Sequence, residues 1–363
     1  MRKKQIAFIV ILGVLCASLG IWTASWIRRE KAAPAVAIVA PVRDVITLTA
    51  AGDCTLGSDP RFSYGGSFHA RFAAEGENHA YFLENVAPIF REDSLTFVNF
   101  EGTLTEAEAR AEKTYTFKGP AHYAKILTAG DVEAVSLSNN HTYDFLEKGF
   151  ADTKKALEAE NIAYAYGEKT ALFSVKPGEE AVEVQKGAEK TETEVYIGIA
   201  AFSVWYDGAD VRANIQKAIS ALRERGADLV FVSCHWGLEG KNYPYEVQTA
   251  VGRYAIDAGA DGVWGHHPHV LQGIETYKGK EIVYSMGNFC FGGNHNPQDK
   301  DCIIYQMEFE TLDGKLTGAW ESRIIPCRIS SQDAFNDYKP TPAEGEKAKR
   351  IQKRMEAYKI GEN

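Results

Sequence analysis

Five of the nine histidines in this 363-residue chain are His141, His235, His266, His267 and His269. Each lies in a polar cluster that follows a short apolar or β-branched run. Gly52-Asp53 follows such a run, as do Glu101-Gly102 and Ser138-Asn139-Asn140-His141 with Asp144 behind it. His235-Trp236-Gly237 and Gly265-His266-His267-Pro268-His269 do the same. Asp53 and Glu101 offer hard oxygens, a carboxylate can bridge two cations, and Asn140 adds a neutral amide oxygen. Mixed oxygen and imidazole donors suit one or two divalent ions of Mn, Zn or Fe rather than Ca. His267-Pro268-His269 is the strongest local signal. In an extended segment, side chains two apart share a side at about 6.5 Å, a spacing that serves two ions roughly 3.5–4 Å apart. His266 would then point away, as an outer donor or a substrate contact. Simpler readings stand beside these. Asp53 would serve as a turn residue, and Asn140 as the cap of a helix starting near Thr142, alone or while ligating.

His141 sits three residues before Asp144. A carboxylate bonded to the ring raises its basicity, which makes His141 a candidate general acid for a leaving group and Asp144 its partner. A purely structural pair is the alternative. His69, His79, His122 and His295 are scattered and read as surface or satisfied histidines. Asn288 reads as loop geometry near the site. Trp205, Tyr206 and Trp236 read as an aromatic rim or as core.

Something must bring these clusters together. Strand-like runs span 45–51, 94–100, 132–137, 195–202, 228–233, 262–264 and 281–285. Helix-like stretches span 80–92, 121–130, 145–160, 211–225 and 245–258. Their alternation predicts a layered α/β fold, in which ligands sit outside the carboxyl ends of strands. No internal repeat stands out. Residues 176–194 read as a solvated hairpin or loop insertion. Strand patterning stops after residue 328, and 341–358 reads as a charged surface helix. Of the six cysteines, the five beyond Cys16 cannot all pair within the chain. They read as buried thiols, with Cys290–Cys302 a weak disulfide candidate.

Residues 6–27 carry no charge. At 1.5 Å per residue such a helix reaches about 33 Å, enough to cross a bilayer core of roughly 30 Å. Cleaved signal peptides have apolar regions of about 7–15 residues, so an uncleaved single-pass anchor with an extracellular body is expected. The domains are then a cytoplasmic stub and anchor over 1–31, a linker over 32–44, a body over 45–331 and a charged tail over 332–363. In the first 31 residues six cations against Glu30 give +5, which leaves −14 of the total −9 to the rest. An acidic body excludes nucleic acid as the main partner.

The ordered set of Gly52-Asp53, Asn99-Phe100-Glu101-Gly102, Ser138-Asn139-Asn140-His141 with Asp144, His235-Trp236-Gly237, Gly265-His266-His267-Pro268-His269 and Ser285-Met286-Gly287-Asn288-Phe289 resembles the CapA/PgsA capsule-synthesis family. The resemblance covers about residues 47–329. It implies an α/β fold of metallophosphoesterase type, a four-layer α-β-β-α sandwich with one N-terminal transmembrane helix. It implies membrane-bound work with the synthase and export subunits of a poly-γ-glutamate capsule, an anionic polymer. Carried over, the dinuclear phosphoesterase pattern implies that Asp53 and His269 hold a first metal and that Glu101 bridges. Asn140, His235 and His267 would hold a second, and His141 would protonate the leaving group. Two positions depart from that pattern: Thr55 stands where a histidine is usual, and Glu101 where an aspartate is. The first metal thereby loses a ligand, so a mononuclear site or a binding-only site fits as well. A free-standing extracellular metallohydrolase of phosphoester or amide bonds is the competing function.

Overall fold

The computed structural model describes residues 41–185 and 188–361. The expected membrane segment over 6–27, and all but the end of the linker over 32–44, lie outside them. Among the described residues no helix is long and apolar enough to cross a membrane.

The chain builds most of one sheet, then a second, then returns to the first. β1 (Arg43–Thr55) pairs in parallel with β2 (Leu95–Phe100). A short ribbon follows, β3 (Thr103–Leu104) with β4 (Lys118–Gly119). β5 (Ala134–Ser136) and β6 (Ala163–Ala165) extend the parallel run beyond β2. The second sheet holds β7 (Ala171–Val175), β8 (Val182–Glu183), β9 (Val195–Val204), β10 (Leu229–Trp236), β11 (Gly262–His266), β12 (Ile274–Tyr277) and β13 (Lys280–Val283). Its order is β12-β13-β11-β10-β9-β7-β8. Then β14 (Asn288–Phe291) lies parallel to β1, and β15 (Asp301–Leu312) pairs antiparallel with it. β16 (Lys315–Arg328) and β17 (Thr341–Pro342) complete the order β17-β16-β15-β1-β2-β5-β6.

Period-two alternation divides each strand between two cores. Ile46, Leu48 and Ala50 of β1 join Phe97, Ile197, Phe231, Trp264 and Tyr305 in a core between the sheets. Ala51 and Cys54 instead face a second core with Phe68, Phe82 and Leu157 from the helical side. The outer face of the second sheet packs on Ile215, Ile219 and Leu222 of the helix Ala209–Glu224 and on Val251 and Ala255 of Glu246–Asp257. Those spacings of three and four make one apolar helical stripe. β10 is buried along its whole length and reads as a continuous apolar run, as central parallel strands do. The outcome is the mixed, layered α/β arrangement that the sequence patterning predicts.

Several local expectations need correction. The stretch 80–92 is a 3-10 turn (His79–Tyr81) and a short helix (Ala87–Phe90) with Pro88 in its first turn. No helix starts near Thr142; that one begins at Leu146, so Asn140 caps nothing. The strand runs read from sequence end at 285, yet two long strands follow up to residue 328. β15 and β16 form the longest hairpin, turned at Asp313-Gly314, whose φ values of 52° and 77° suit the two-residue hairpin turn. All five cysteines beyond Cys16 are buried free thiols, so the Cys290–Cys302 bridge is not formed. The C-terminal helix Gly345–Tyr358 buries Ile351 and Met355, while Arg350 and Arg354 pair with Asp301.

At the amino end of β2, Thr96 donates its N–H to Glu133 and its hydroxyl to Asp93. Burial pushes the Glu133 carboxyl up to about 8 and the Asp93 carboxyl up to about 7. The folded chain therefore holds protons that the unfolded chain releases near its ordinary carboxylate pKa. This stability is complete below that value and is lost as pH rises through about 7–8. The melting temperature of the protein should fall between pH about 5 and about 8.5, and fall less in Glu133→Gln. Equal slopes in the two proteins count against this account.

Candidate metal centre

Five strand ends converge on one buried spot. β1 carries a bulge between Ala51 and Asp53, where its register to β2 shifts. A Cβ on Gly52 would lie 2.0 Å from the Gly287 carbonyl, so only glycine lets β1 run that close beneath the strand returning to it. The Asp53 N–H donates to that carbonyl at 3.0 Å. Asp53 thereby stands beside Asn99 of β2 and Asn288 of β14. Glu101 follows β2 directly. From the other sheet, His235, the last but one residue of β10, stands opposite His266, the last residue of β11.

Glu101 is the centre of the cluster. It is fully buried, and neither carboxylate oxygen has a hydrogen-bond donor among the described residues. Its Oε1 lies 3.8 Å from Nε2 of His141, 3.8 Å from Nε2 of His235 and 3.7 Å from Nε2 of His269. Asp53 is also fully buried and accepts from Asn99 Nδ2 at 2.8 Å. Its other oxygen is 3.3 Å from Nδ1 of His269, whose Nδ1 is also 2.9 Å from Asn288 Oδ1. That leaves His269 Nε2 turned toward Glu101. His235 Nε2 lies 2.7 Å from Asn140 Oδ1 and its Nδ1 lies 3.3 Å from Asn99 Nδ2. Ligand atoms of Glu101, His267 and His269 lie within 4.8 Å of one another, as do those of Asp53, Glu101 and His235. An orphaned buried carboxylate ringed by imidazole nitrogens at these lengths fits a divalent cation: each donor is too far for a hydrogen bond and near enough to share an ion.

Electrostatics follow from that crowding. Burial, joined by the charges of Asp53 and Glu239, pushes Glu101 up to about 8 against the pull of His269. Burial also opposes ionisation of Asp53, yet His266 and His269 outweigh it and hold its carboxyl well below the usual range. Burial lowers His235 far below the ordinary imidazole value and His267 to about 4. His269 runs the other way. Burial disfavours its charge, but Glu101 and Asp53 carry it up to about 10. Burial lowers His141 as well, although Asp144 pulls upward.

All eight residues read from sequence come together here, though not as the extended-chain argument has it. His267 has φ 93° and His269 φ 56°. A non-glycine residue at positive φ is uncommon, and such strain gathers at functional sites. The segment is thus a strained turn, with the rings of His267 and His269 at 5.6 Å between centroids. His266 does not point away from the cluster: it is buried, its Nδ1 is 3.5 Å from Asp53, and neither nitrogen has a hydrogen-bond partner among the described residues. Two overlapping donor groups lie close together, His267 with His269 and Asp53 with His235, with Glu101 common to both. His141 Nδ1 lies 2.6 Å from Asp144. Trp205 is a half-exposed rim over His267, at 4.9 Å, whereas Trp236 is core and Tyr206 bonds Asp210.

Sequence reasoning missed four partners. Lys113 Nζ donates to Asp144 at 2.8 Å and to the Asn140 carbonyl at 2.8 Å. Asn99 holds Asp53, Asn139 donates to the Phe100 carbonyl, and Asn288 orients His269. Only Asn288 and the Asn pair lie in quoted motifs; nothing marks Lys113.

The family profile described as bacterial capsule synthesis protein PGA_cap matches residues 47–293, a span that contains every one of these side chains. The chain belongs to the PGA_cap family. PGA_cap proteins are metallophosphoesterase-like. The chain is 28% identical over 330 residues to the capsule biosynthesis protein CapA of Bacillus anthracis, covering 84% of this chain and 74% of that protein. It is 30% identical over 240 residues to the PGA biosynthesis protein CapA of Bacillus subtilis (strain 168), covering 62% and 61%.

Because Glu101 serves both donor sets and His267 one, Glu101→Gln should lose more bound metal per chain than His267→Ala. Elemental analysis after loading checks this, with circular dichroism to verify the fold. Metal should raise the melting temperature of the wild type and leave that of Glu101→Gln unmoved. Wild-type metal content in both variants sinks the ligand assignment.

Proposed function

We propose that this chain is a membrane-anchored, extracellular metal-binding protein of capsule assembly, working with polyglutamate synthase and export subunits on poly-γ-glutamate or a similar anionic polymer. Residues 1–31 serve as the anchor and 32–44 as the linker; 45–331 form the working body and 332–363 its charged tail. The carrying observation is Glu101, buried without a donor among the described residues and faced by three imidazoles, in a chain of the capsule synthesis family. Asp53, Glu101, Asn140, His235, His267 and His269 would hold one or two ions of Mn, Zn or Fe. When bound, such an ion supplies Lewis-acid polarisation of a carbonyl or phosphoryl oxygen.

The chain's own residues do the rest. Asp144 accepts from His141 Nδ1 and fixes the ring so that Nε2 faces the centre. Lys113 neutralises Asp144 from behind and ties it to the Asn140 backbone. Asn99 and Asn288 keep Asp53 and His269 aligned. This anchored dyad exceeds what metal storage needs. It favours a second reading, an extracellular metal-dependent hydrolase of phosphoester or amide bonds in which His141 protonates the leaving group.

An acidic body repels a polyanion at long range. Bound cations relieve this locally, so chelation should weaken polyglutamate binding by about tenfold or more while circular dichroism stays unchanged. Unaltered affinity after chelation argues against a metal-mediated contact. For the hydrolase reading, His141→Ala should lower turnover of a generic phosphodiester by about 10²–10⁴-fold. A metal-loaded wild type with no turnover on ester or amide probes retires that reading.

A further inference from the structure

A cleft of about 800 Å³ opens beside the metal centre, with His141 and His269 in its wall. Its flank is aromatic. Phe62 meets Tyr115 edge-on at 6.0 Å, and Tyr115 lies parallel to Phe117 at 6.4 Å. Phe117 in turn packs on His141 at 4.4 Å, and across the cleft Phe291 packs on His269 at 5.1 Å. The rings therefore run without a break from the mouth down to the imidazoles of the centre.

Apart from its imidazoles, of which His269 is matched by Asp53 and Glu101, this wall carries charge of one sign. No lysine or arginine is among the lining residues, and the two carboxylates are Glu239 and Asp299. Asp299 is already neutralised by Arg354 at 2.6 Å. Glu239 has no hydrogen bond or ion pair among the described residues, and Lys241 does not line the cleft. Its loop is pinned: Gly240 N donates to the Pro268 carbonyl at 2.9 Å, and Gln272 donates to the Lys241 carbonyl at 2.9 Å. Glu239 is thus an exposed carboxylate, unpaired among the described residues, on a backbone held beside the strained histidine turn. Sites that read phosphate or carboxylate line themselves with arginine and lysine. Aromatic faces beside a bare carboxylate suit a cation instead.

We infer that this cleft seats a primary ammonium carried on an amide-linked chain, with Glu239 as its counter-ion and the Tyr115–Phe117 wall as its flank. The inference deepens the proposed function, since it names the group that the same site takes. A γ-linked glutamate chain has such an ammonium at its amino end, on the carbon that also bears that residue's free carboxylate, so a protein acidic overall can hold a polyanion by the one residue whose charge is balanced.

Two pairs of probes test this on the metal-loaded full-length protein in detergent, by calorimetry. One pair is tri-γ-glutamate with a free or an acetylated amino end, the other trialanine amide in the same two forms. Acetylation should weaken binding by about tenfold or more in each pair, the scale of one charge-assisted hydrogen bond. Glu239→Gln should bring the free forms down to the acetylated ones, with metal content unchanged. Discrimination in the trialanine pair with no tri-γ-glutamate binding supports the ammonium seat and removes the polyglutamate reading. Equal binding of free and acetylated forms, discrimination that survives Glu239→Gln, or no binding of any probe overturns the inference.

Discussion

Glu101 follows directly on a fully buried strand, with both carboxylate oxygens shielded from water and unmatched by any donor among the described residues. A lone buried carboxylate is among the least favourable placements a side chain can take, unless it is protonated or shares a cation. Much of the surrounding structure is arranged around that demand. Imidazoles approach from both sheets, and each is turned by a specific neighbour: Asp144 for His141, Asn99 for His235, Asn288 for His269. Alignment by outer partners keeps the nitrogen that matters turned inward.

Two sheets must meet edge-end to edge-end for this to happen. The core of Phe97, Phe231, Trp264 and Tyr305 holds them face to face, and their parallel strands then present carboxyl ends on the same rim. The bulge in β1 and the contact of Gly52 with Gly287 shift Asp53 into the gap. The strained turn at His267 and His269 performs the matching adjustment from the second sheet. Packing thus sets the distance between sheets, and local irregularity sets the last few ångströms.

Much of the site was legible in sequence for a physical reason. Apolar runs that end in Asp53, Glu101, Asn140 and His235 declare both a strand and what stands at its end. His266 was misjudged because side-chain alternation holds only in extended backbone, and the left-handed residues that follow depart from it. Lys113 was invisible because the segment from Thr105 to Phe117 has no regular structure and no periodicity to read. The β15–β16 hairpin escaped notice although Asp313-Gly314 signals it. The exposed face of β16, with Thr317, Glu321 and Arg323, dilutes the apolar alternation expected of a strand.

β1 occupies the middle of its sheet, yet its two neighbours are made at very different times. β2 follows within 40 residues, whereas Arg43 pairs with Leu312 and Ala51 with Ile304. Pairings of such sequence separation close late. During synthesis, the first strand of the body waits with one edge bare until nearly the whole polypeptide has left the ribosome. Asp53 has its partners from β2 early, while the Gly287 segment that holds its backbone comes shortly before β15. The sheet that carries the centre is therefore completed late, and a product that stops short of β15 would keep every residue of the centre while lacking the strand that pairs along β1.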